Sequence, residues 1–241
     1  YHINDINMND FKLYPPYQDF KKLKALLGEN VFFDKQEGIS RDTCIINGCK
    51  YLNFTSYNYL GLSSHPDVVK ASIAAIRKYG TSVSASRLVS GEKTIHAELE
   101  DEIAKLIGVE RSIIFTAGHA TNVSTIAHLY GSDDLILHDE LAHNSIVLGA
   151  VYSGATRVVF PHNNWQAVDE ILRRDRHLYK RVLIVIEGVY SMDGDIADLV
   201  NFIDVKNRHH AWLMVDEAHS IGNNRKTGGG IREHFNVDPD S

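Results

Sequence analysis

Four short stretches hold the residue types that do chemistry. They are "TAGHATN" (Thr116–Asn122), "HDELAHNS" (His138–Ser145), "EGVYSMDGD" (Glu187–Asp195) and "WLMVDEAHS" (Trp212–Ser220). Each follows or contains a short apolar run: "SIIF", "DLIL", "VLIVI" and "WLMV". A carboxylate at the end of a buried strand is costly unless it meets a positive or hydrogen-bonding partner. Asp216, which closes "WLMVD", therefore asks for a partner, and His219 stands three positions after it.

Each stretch has a chemical reading and a plainer one. "TAGHATN" places small residues before a helix start, where free N–H groups and the helix dipole suit an anion. It is not G-x-G-x-x-G and lacks the P-loop lysine, so it suits one phosphate rather than a nucleotide fingerprint. The plainer reading is a tight turn that needs Gly118. "HDELAHNS" offers His138 or Asp139 with His143 as metal ligands. Its spacing is not H-E-x-x-H and no third ligand is near. A capped helix start with one satisfied histidine is the alternative. "EGVYSMDGD" has no G-x-S-x-G elbow, which argues against a serine hydrolase. Asp193-Gly194 reads there as a turn in a loop held by Asx-type hydrogen bonds.

A protonated pyridine nitrogen is a partner that suits Asp216. At roughly 4 Å and an effective dielectric near 20 such a pair is worth about 4 kcal/mol. That is about three pKa units, enough to keep a weakly basic ring nitrogen protonated at neutral pH. A protonated ring is an electron sink, the property pyridoxal 5′-phosphate (PLP) chemistry requires. The helix start would then take the phosphate, one imidazole would stack on the ring, and another would donate to its hydroxyl.

These residues need a scaffold. Up to about residue 55 the chain reads as an arm. A short amphipathic helix, "DFKKLKALLGEN", ends near Gly28, and a hairpin turns at Asn47-Gly48. Residues 56–241 form the second region, with the texture of one large domain. "HPDVVKASIAAIRKYG" opens with Pro66 and stops at Gly80, with Val69, Ile73 and Ile76 on one face. "TIHAELEDEIAKLIG" repeats the pattern with Ile95, Leu99, Ile103 and Leu106. The β-rich runs "SIIFT", "DLILH", "TRVVF", "RVLIVIE" and "AWLMVD" follow, separated by helix-like stretches such as 120–129 and 165–173. Runs apolar on both faces, split by helices, predict an α/β fold with a mainly parallel sheet covered on both sides. Rossmann, flavodoxin and PLP-transferase folds all fit, and periodicity does not choose among them. In all of them, ligands sit at the carboxyl ends of the strands, where the four stretches lie.

Composition narrows the partners. The chain has 241 residues, 44% hydrophobic and 23% charged, with a formal charge of −6. No Lys/Arg block marks a nucleic-acid or anionic-membrane surface. No apolar run approaches the roughly 20 residues of a membrane helix, and no secretory pattern opens the chain. The expectation is a cytoplasmic protein. Cys44 and Cys49 are the only cysteines and read as structural. The chain starts at Tyr1 and stops in "NVDPDS", which reads as part of something longer.

The sequence resembles the α-oxoamine synthases, PLP-dependent enzymes of fold type I. They include 8-amino-7-oxononanoate synthase, 2-amino-3-ketobutyrate CoA ligase, serine palmitoyltransferase and 5-aminolevulinate synthase. The match runs from "YLNFTSYNYLGLSSHP" to the end through "YGTSVSASRLVSGEKTIHAELE", "TAGHATN", "LAHNS", "EGVYSMDGDIADL" and "VDEAHSIG", in family order. The wording "YGTSVSASRLVSG" looks closest to members fused into polyketide synthases.

The resemblance implies the large domain of the PLP-transferase fold, with the following roles. Gly118 and His119 supply N–H groups to the cofactor phosphate, with His119 standing where relatives usually have an aromatic residue. His143 stacks on the ring and helps orient the substrate. Asp216 pairs with the ring nitrogen and His219 donates to the ring hydroxyl. Ser191 belongs to the cofactor pocket, and Glu187 supports it from behind. His143, Asp216 and His219 are the catalytic set, and no metal is implied. Many relatives have Asn where Tyr57 stands, whereas here Asn58 comes one place later, which leaves recognition of the amino-acid carboxylate open.

The family's cofactor-bearing lysine follows "DEAHS" by about thirty residues in the family pattern, and Ser241 falls before it. Lys226 stands in a different context. The implied activity of the intact protein is decarboxylative condensation of an amino acid with an acyl thioester, on CoA or a carrier protein, giving an α-aminoketone. The implied assembly is a homodimer. The rival readings are a non-catalytic PLP-fold module serving as scaffold or dimer partner, and a PLP transaminase or lyase on the same fold.

Overall fold

The computed structural model describes residues 10–28, 33–223 and 226–238. The chain divides into two compact units, Tyr1–Lys78 and Tyr79–Ser241. In the first unit, α1 (Pro15–Leu27) starts with Pro at its first positions and stops at Gly28. A small antiparallel sheet follows, with β1 (Gln36–Glu37), β2 (Thr43–Ile46) and β3 (Cys49–Leu52) in the order β1-β2-β3. Asn47 and Gly48 make the β2–β3 turn with φ of 51° and 75°, the left-handed pair that matches strand twist. The expected hairpin is therefore present. Then α2 (Pro66–Tyr79) carries Asp67 in its first turn and Arg77 and Lys78 in its last, both favourable to the helix dipole.

The second unit opens with α3 (Thr94–Ile107) and α4 (Gly118–Leu129). Four parallel strands follow, β4 (Leu135–Asp139), β5 (Thr156–Phe160), β6 (Val182–Glu187) and β7 (Trp212–Asp216), in the order β5-β4-β6-β7. Between and after them lie α5 (Asn144–Ser153), α6 (Trp165–Asp175), α7 (Leu199–Arg208) and α8 (Gly230–Phe235).

Alternate residues of the central strands face opposite layers. Leu135, Leu137, Val182, Ile184 and Ile186 pack with Val168 and Leu172 of α6 and with Phe202 and Val205 of α7. Ile136, Leu183 and Val185 pack with Ile126 of α4 and with Ile146 and Ala150 of α5. The sheet is covered on both faces, the α/β layering expected from the two-sided apolar runs. The α4–α5 contact is close: a Cβ on Gly149 would lie 2.9 Å from Ile126 Cβ. At the amino end of the sheet, buried Asp134 accepts from Arg181 Nη2 at 2.6 Å and from the Arg181 N–H at 3.1 Å, which pins the start of β4 beside β6.

One expected strand is absent. "SIIFT" forms no strand, and Ile113 and Phe115 are exposed. Its backbone groups go to side chains instead. The Ile114 N–H donates to Glu100 Oε1 at 3.0 Å, and its carbonyl accepts from Arg87 Nη1 at 3.4 Å. An extended apolar run becomes a strand only when a neighbouring strand takes its N–H and C=O groups.

Candidate active site at the strand ends

The parallel register brings the acids together. Glu187 lies opposite Asp216 across β6 and β7, and Asp139 ends β4 on the same edge of the sheet. The three acids differ in their surroundings.

Asp139 is fully buried. Its Oδ1 accepts from the Leu141 N–H at 2.8 Å and from His162 Nδ1 at 2.9 Å. Its Oδ2 accepts from the Asn163 N–H at 2.7 Å and the Tyr190 hydroxyl at 2.8 Å. Four donors satisfy it, so it is an anchor for the loops beside the site. His162 Nε2 also meets Asp195 Oδ2 at 2.8 Å. Burial lowers the His162 pKa, but the Asp139 and Asp195 carboxylates outweigh it and raise the ring above its ordinary value.

Glu187 is 2% exposed. Its Oε1 accepts from the His143 N–H at 2.6 Å, and it also accepts from the Ser191 N–H. Burial pushes its carboxyl up to about 7, with Asp216 and Asp139 adding to the rise and the two backbone donations opposing it. Glu187 thus holds both His143 and Ser191 through their backbone N–H groups.

Asp216 is half-buried. Oδ1 accepts from the Ala218 N–H at 3.0 Å and Oδ2 from Asn122 Nδ2 at 2.7 Å. Its neighbour Glu217 faces elsewhere. Glu217 Oε2 accepts from the Ile231 N–H at 3.1 Å and from the Ser220 hydroxyl, so it anchors the start of α8. That packing leaves no room for a side chain at Gly230, whose added Cβ would sit 2.5 Å from Glu217 Oε2 at a φ of +73°.

Two helix starts face the same edge. α4 begins at Gly118 with no side-chain cap on its first turn, and its first N–H groups have no intrahelical acceptor. A Cβ added at Gly118 would meet nothing within 4 Å, so the surface beside the helix start is open there. α5 is capped by His143, whose Nδ1 accepts from the Ser145 N–H at 3.2 Å. The exposed rings of His119 and His143 meet edge to face with centroids 6.2 Å apart. His219 lies in the turn that follows β7. Of the expected residues, Asp216, His143, His119, Gly118, Glu187 and Ser191 fall into one connected neighbourhood. Asn58 spends its amide locally, accepting from the Ser63 N–H at 3.1 Å and donating to the Ser40 carbonyl at 3.2 Å.

Two buried residues in this neighbourhood were not singled out by the spacing of motifs. Asn122 lies one helical turn after Gly118 on the sheet-facing side of α4, and Ser145 lies just inside α5. They join Asp216 to His143. The available signal was a polar residue on an otherwise apolar helix face. His162 and Tyr190, which buttress Asp139, carried no signal of that kind.

A cluster of acids of this design, at the carboxyl edge of a parallel sheet and beside two helix starts, is the arrangement of cofactor-dependent α/β enzymes. Residues 49–240 match the aminotransferase class I and II family, and the chain belongs to that family. Its relatives are α-oxoamine synthases. The chain is 44% identical over 197 residues to serine palmitoyltransferase 3 of Homo sapiens, covering 78% of this chain and 36% of that protein. It is 41% identical over 196 residues to the 8-amino-7-oxononanoate synthase of Geobacter sulfurreducens, covering 81% and 50%. Among solved structures, serine palmitoyltransferase of Sphingomonas wittichii superposes with a TM-score of 0.88 at 32% identity, over 95% of this chain and 59% of that one. Serine palmitoyltransferase from S. paucimobilis, solved with bound PLP and myriocin, gives a TM-score of 0.85 at 32% identity, over 91% and 55%. The chain spans about half the length of most of these relatives. Among the described residues, no helix is long and apolar enough to cross a membrane.

Proposed function

We propose that the full-length protein binds PLP at this edge and condenses an amino acid with an acyl thioester, on CoA or a carrier protein, releasing CO₂ and giving an α-aminoketone. The observation that carries this reading is the placement of Asp216, held by two donors and half-open at a strand end beside the bare start of α4. The donor set fits the group: a carboxylate for a protonated ring nitrogen, free N–H groups for a phosphate, and imidazoles in the same neighbourhood. When bound, PLP supplies an electron sink for the carbanion that decarboxylative condensation requires.

The protein's own residues do the rest. Asp216 holds a proton on the ring nitrogen. Gly118 and His119 donate N–H groups to the phosphate. His143 would pack across the ring face and limit how the substrate lies, and His219 would donate to the ring hydroxyl. Ser191 lines the pocket, while Glu187 fixes both Ser191 and His143 through their backbones. The active assembly is a homodimer working in the cytoplasm.

The test is product analysis on full-length protein given glycine, alanine or serine with an acyl thioester. Release of CO₂ together with free thiol is expected, from a species that light scattering weighs at twice the chain mass. Keto acid without thiol release would instead indicate a transaminase. PLP uptake with no turnover of any pair would indicate a scaffold.

A further inference from the structure

Asn122 is 6% exposed and Ser145 is fully buried, and neither is assigned a part in the chemistry above. The amide of Asn122 makes two donations. Nδ2 lies 2.7 Å from Asp216 Oδ2 and 2.9 Å from Ser145 Oγ. An amide nitrogen carries two hydrogens, so both contacts are served at once. Ser145 Oγ, having accepted from Asn122, keeps its own hydrogen, and His143 Nδ1 lies 2.7 Å away to receive it. The Ser145 N–H donates to the same Nδ1 at 3.2 Å. A ring nitrogen that accepts twice carries a lone pair, so the neutral ring has its proton on Nε2. The bonds run in one direction: from a single amide outwards to the acid, and through a hydroxyl to the imidazole.

We propose that Asn122 is a positioning residue that sets the Asp216 carboxylate and the His143 ring together. It fixes the orientation of the first directly, and the tautomer and orientation of the second through Ser145. The cofactor's identity in this proposal rests on the functional reading above; the network itself does not. A merely structural Asn122 would tie α4 to α5 and β7 with no bearing on the state of the ring.

Nitrogen NMR of the histidine rings in cofactor-free, full-length protein separates the two, alongside melting temperature and PLP titration. Wild type is expected to show His143 as a single Nε2–H tautomer. Asn122→Asp keeps the shape but loses both donors, and its carboxylate withdraws the Ser145 hydroxyl from His143. It is expected to shift the tautomers towards a mixture and to weaken PLP binding about tenfold, through the lost hydrogen bond and the second carboxylate it sets beside Asp216. Ser145→Ala loses the hydroxyl but keeps the backbone N–H on Nδ1, so it is expected to shift the His143 ring-nitrogen signals only part of the way towards a tautomer mixture, with a smaller loss of PLP affinity because the Asn122–Asp216 contact survives. Ser145→Thr, which retains a hydroxyl, is expected to restore the single tautomer.

A folded Asn122→Asp protein with one tautomer and wild-type PLP affinity overturns the proposal. If that variant does not fold, His143 ring-nitrogen shifts in Ser145→Ala identical to wild type overturn it equally, since the lost hydroxyl donation must move them. Wild-type protein that takes up no PLP would overturn the functional reading alone, since the tautomer comparison decides the network without cofactor.

Discussion

Asp216 and Glu217 are adjacent acids with opposite environments. Strand geometry sends successive side chains to opposite faces, so one carboxylate meets the open edge and the other reaches back to the start of α8. In the full-length enzyme, Asp216→Asn is expected to abolish turnover while some PLP is retained, because the neutral amide cannot hold a proton on the ring nitrogen. Steady-state kinetics beside PLP absorbance checks this, and unchanged turnover would refute the electron-sink role. Glu187 gives a pH signature. Its folded pKa of about 7 lies above the ordinary 4.5, so the folded state binds more protons between those values. Stability is then greatest below about pH 4.5 as far as this group is concerned. It falls as pH rises towards 7, by on the order of 3 kcal/mol at most. Glu187→Gln should flatten that part of the stability profile in denaturant titrations at several pH values.

The elements position the site through glycines whose contacts differ. At Gly118, where α4 begins, an added Cβ meets nothing. Gly118→Ala is therefore expected to leave the melting temperature unchanged or slightly raised, while PLP binding weakens if the proposed phosphate lies against this residue. At Gly230 an added Cβ collides with Glu217 at a positive φ. Gly230→Ala is expected to cost about 1–3 kcal/mol, seen as a lower melting temperature. Equal effects of the two substitutions would contradict this account of the two helix starts.

At the scale of the whole molecule, burial is uneven. β4 and β6 are buried along their full length between two helical layers. Among the described residues of the first unit, Cys44 alone is buried. Exchange from a strand requires opening what packs over it. The amides of β4 and β6 are expected to exchange slowest and those of β2 and β3 much sooner, measurable by hydrogen-exchange mass spectrometry. Comparable protection in the two sheets would show that the first unit is covered more fully than its own residues provide.

The helix ends, the Asn47-Gly48 turn, the parallel layering and the acid at the end of β7 were all legible in the sequence. They follow from local chemistry: proline and glycine punctuation, apolar period, and the cost of a buried charge. The family motifs marked the candidate site residues for the same reason, because they sit next to strand ends in the chain. Tertiary structure alone decided that "SIIFT" is not a strand, since pairing depends on a neighbour and here Glu100 and Arg87 take its backbone groups. It alone decided that Glu217 turns away to the start of α8. It also joined Asn122, Ser145 and Asp216, which are far apart in sequence, because a hydrogen bond between distant residues exists only once the chain has brought its donor and acceptor within about 3 Å.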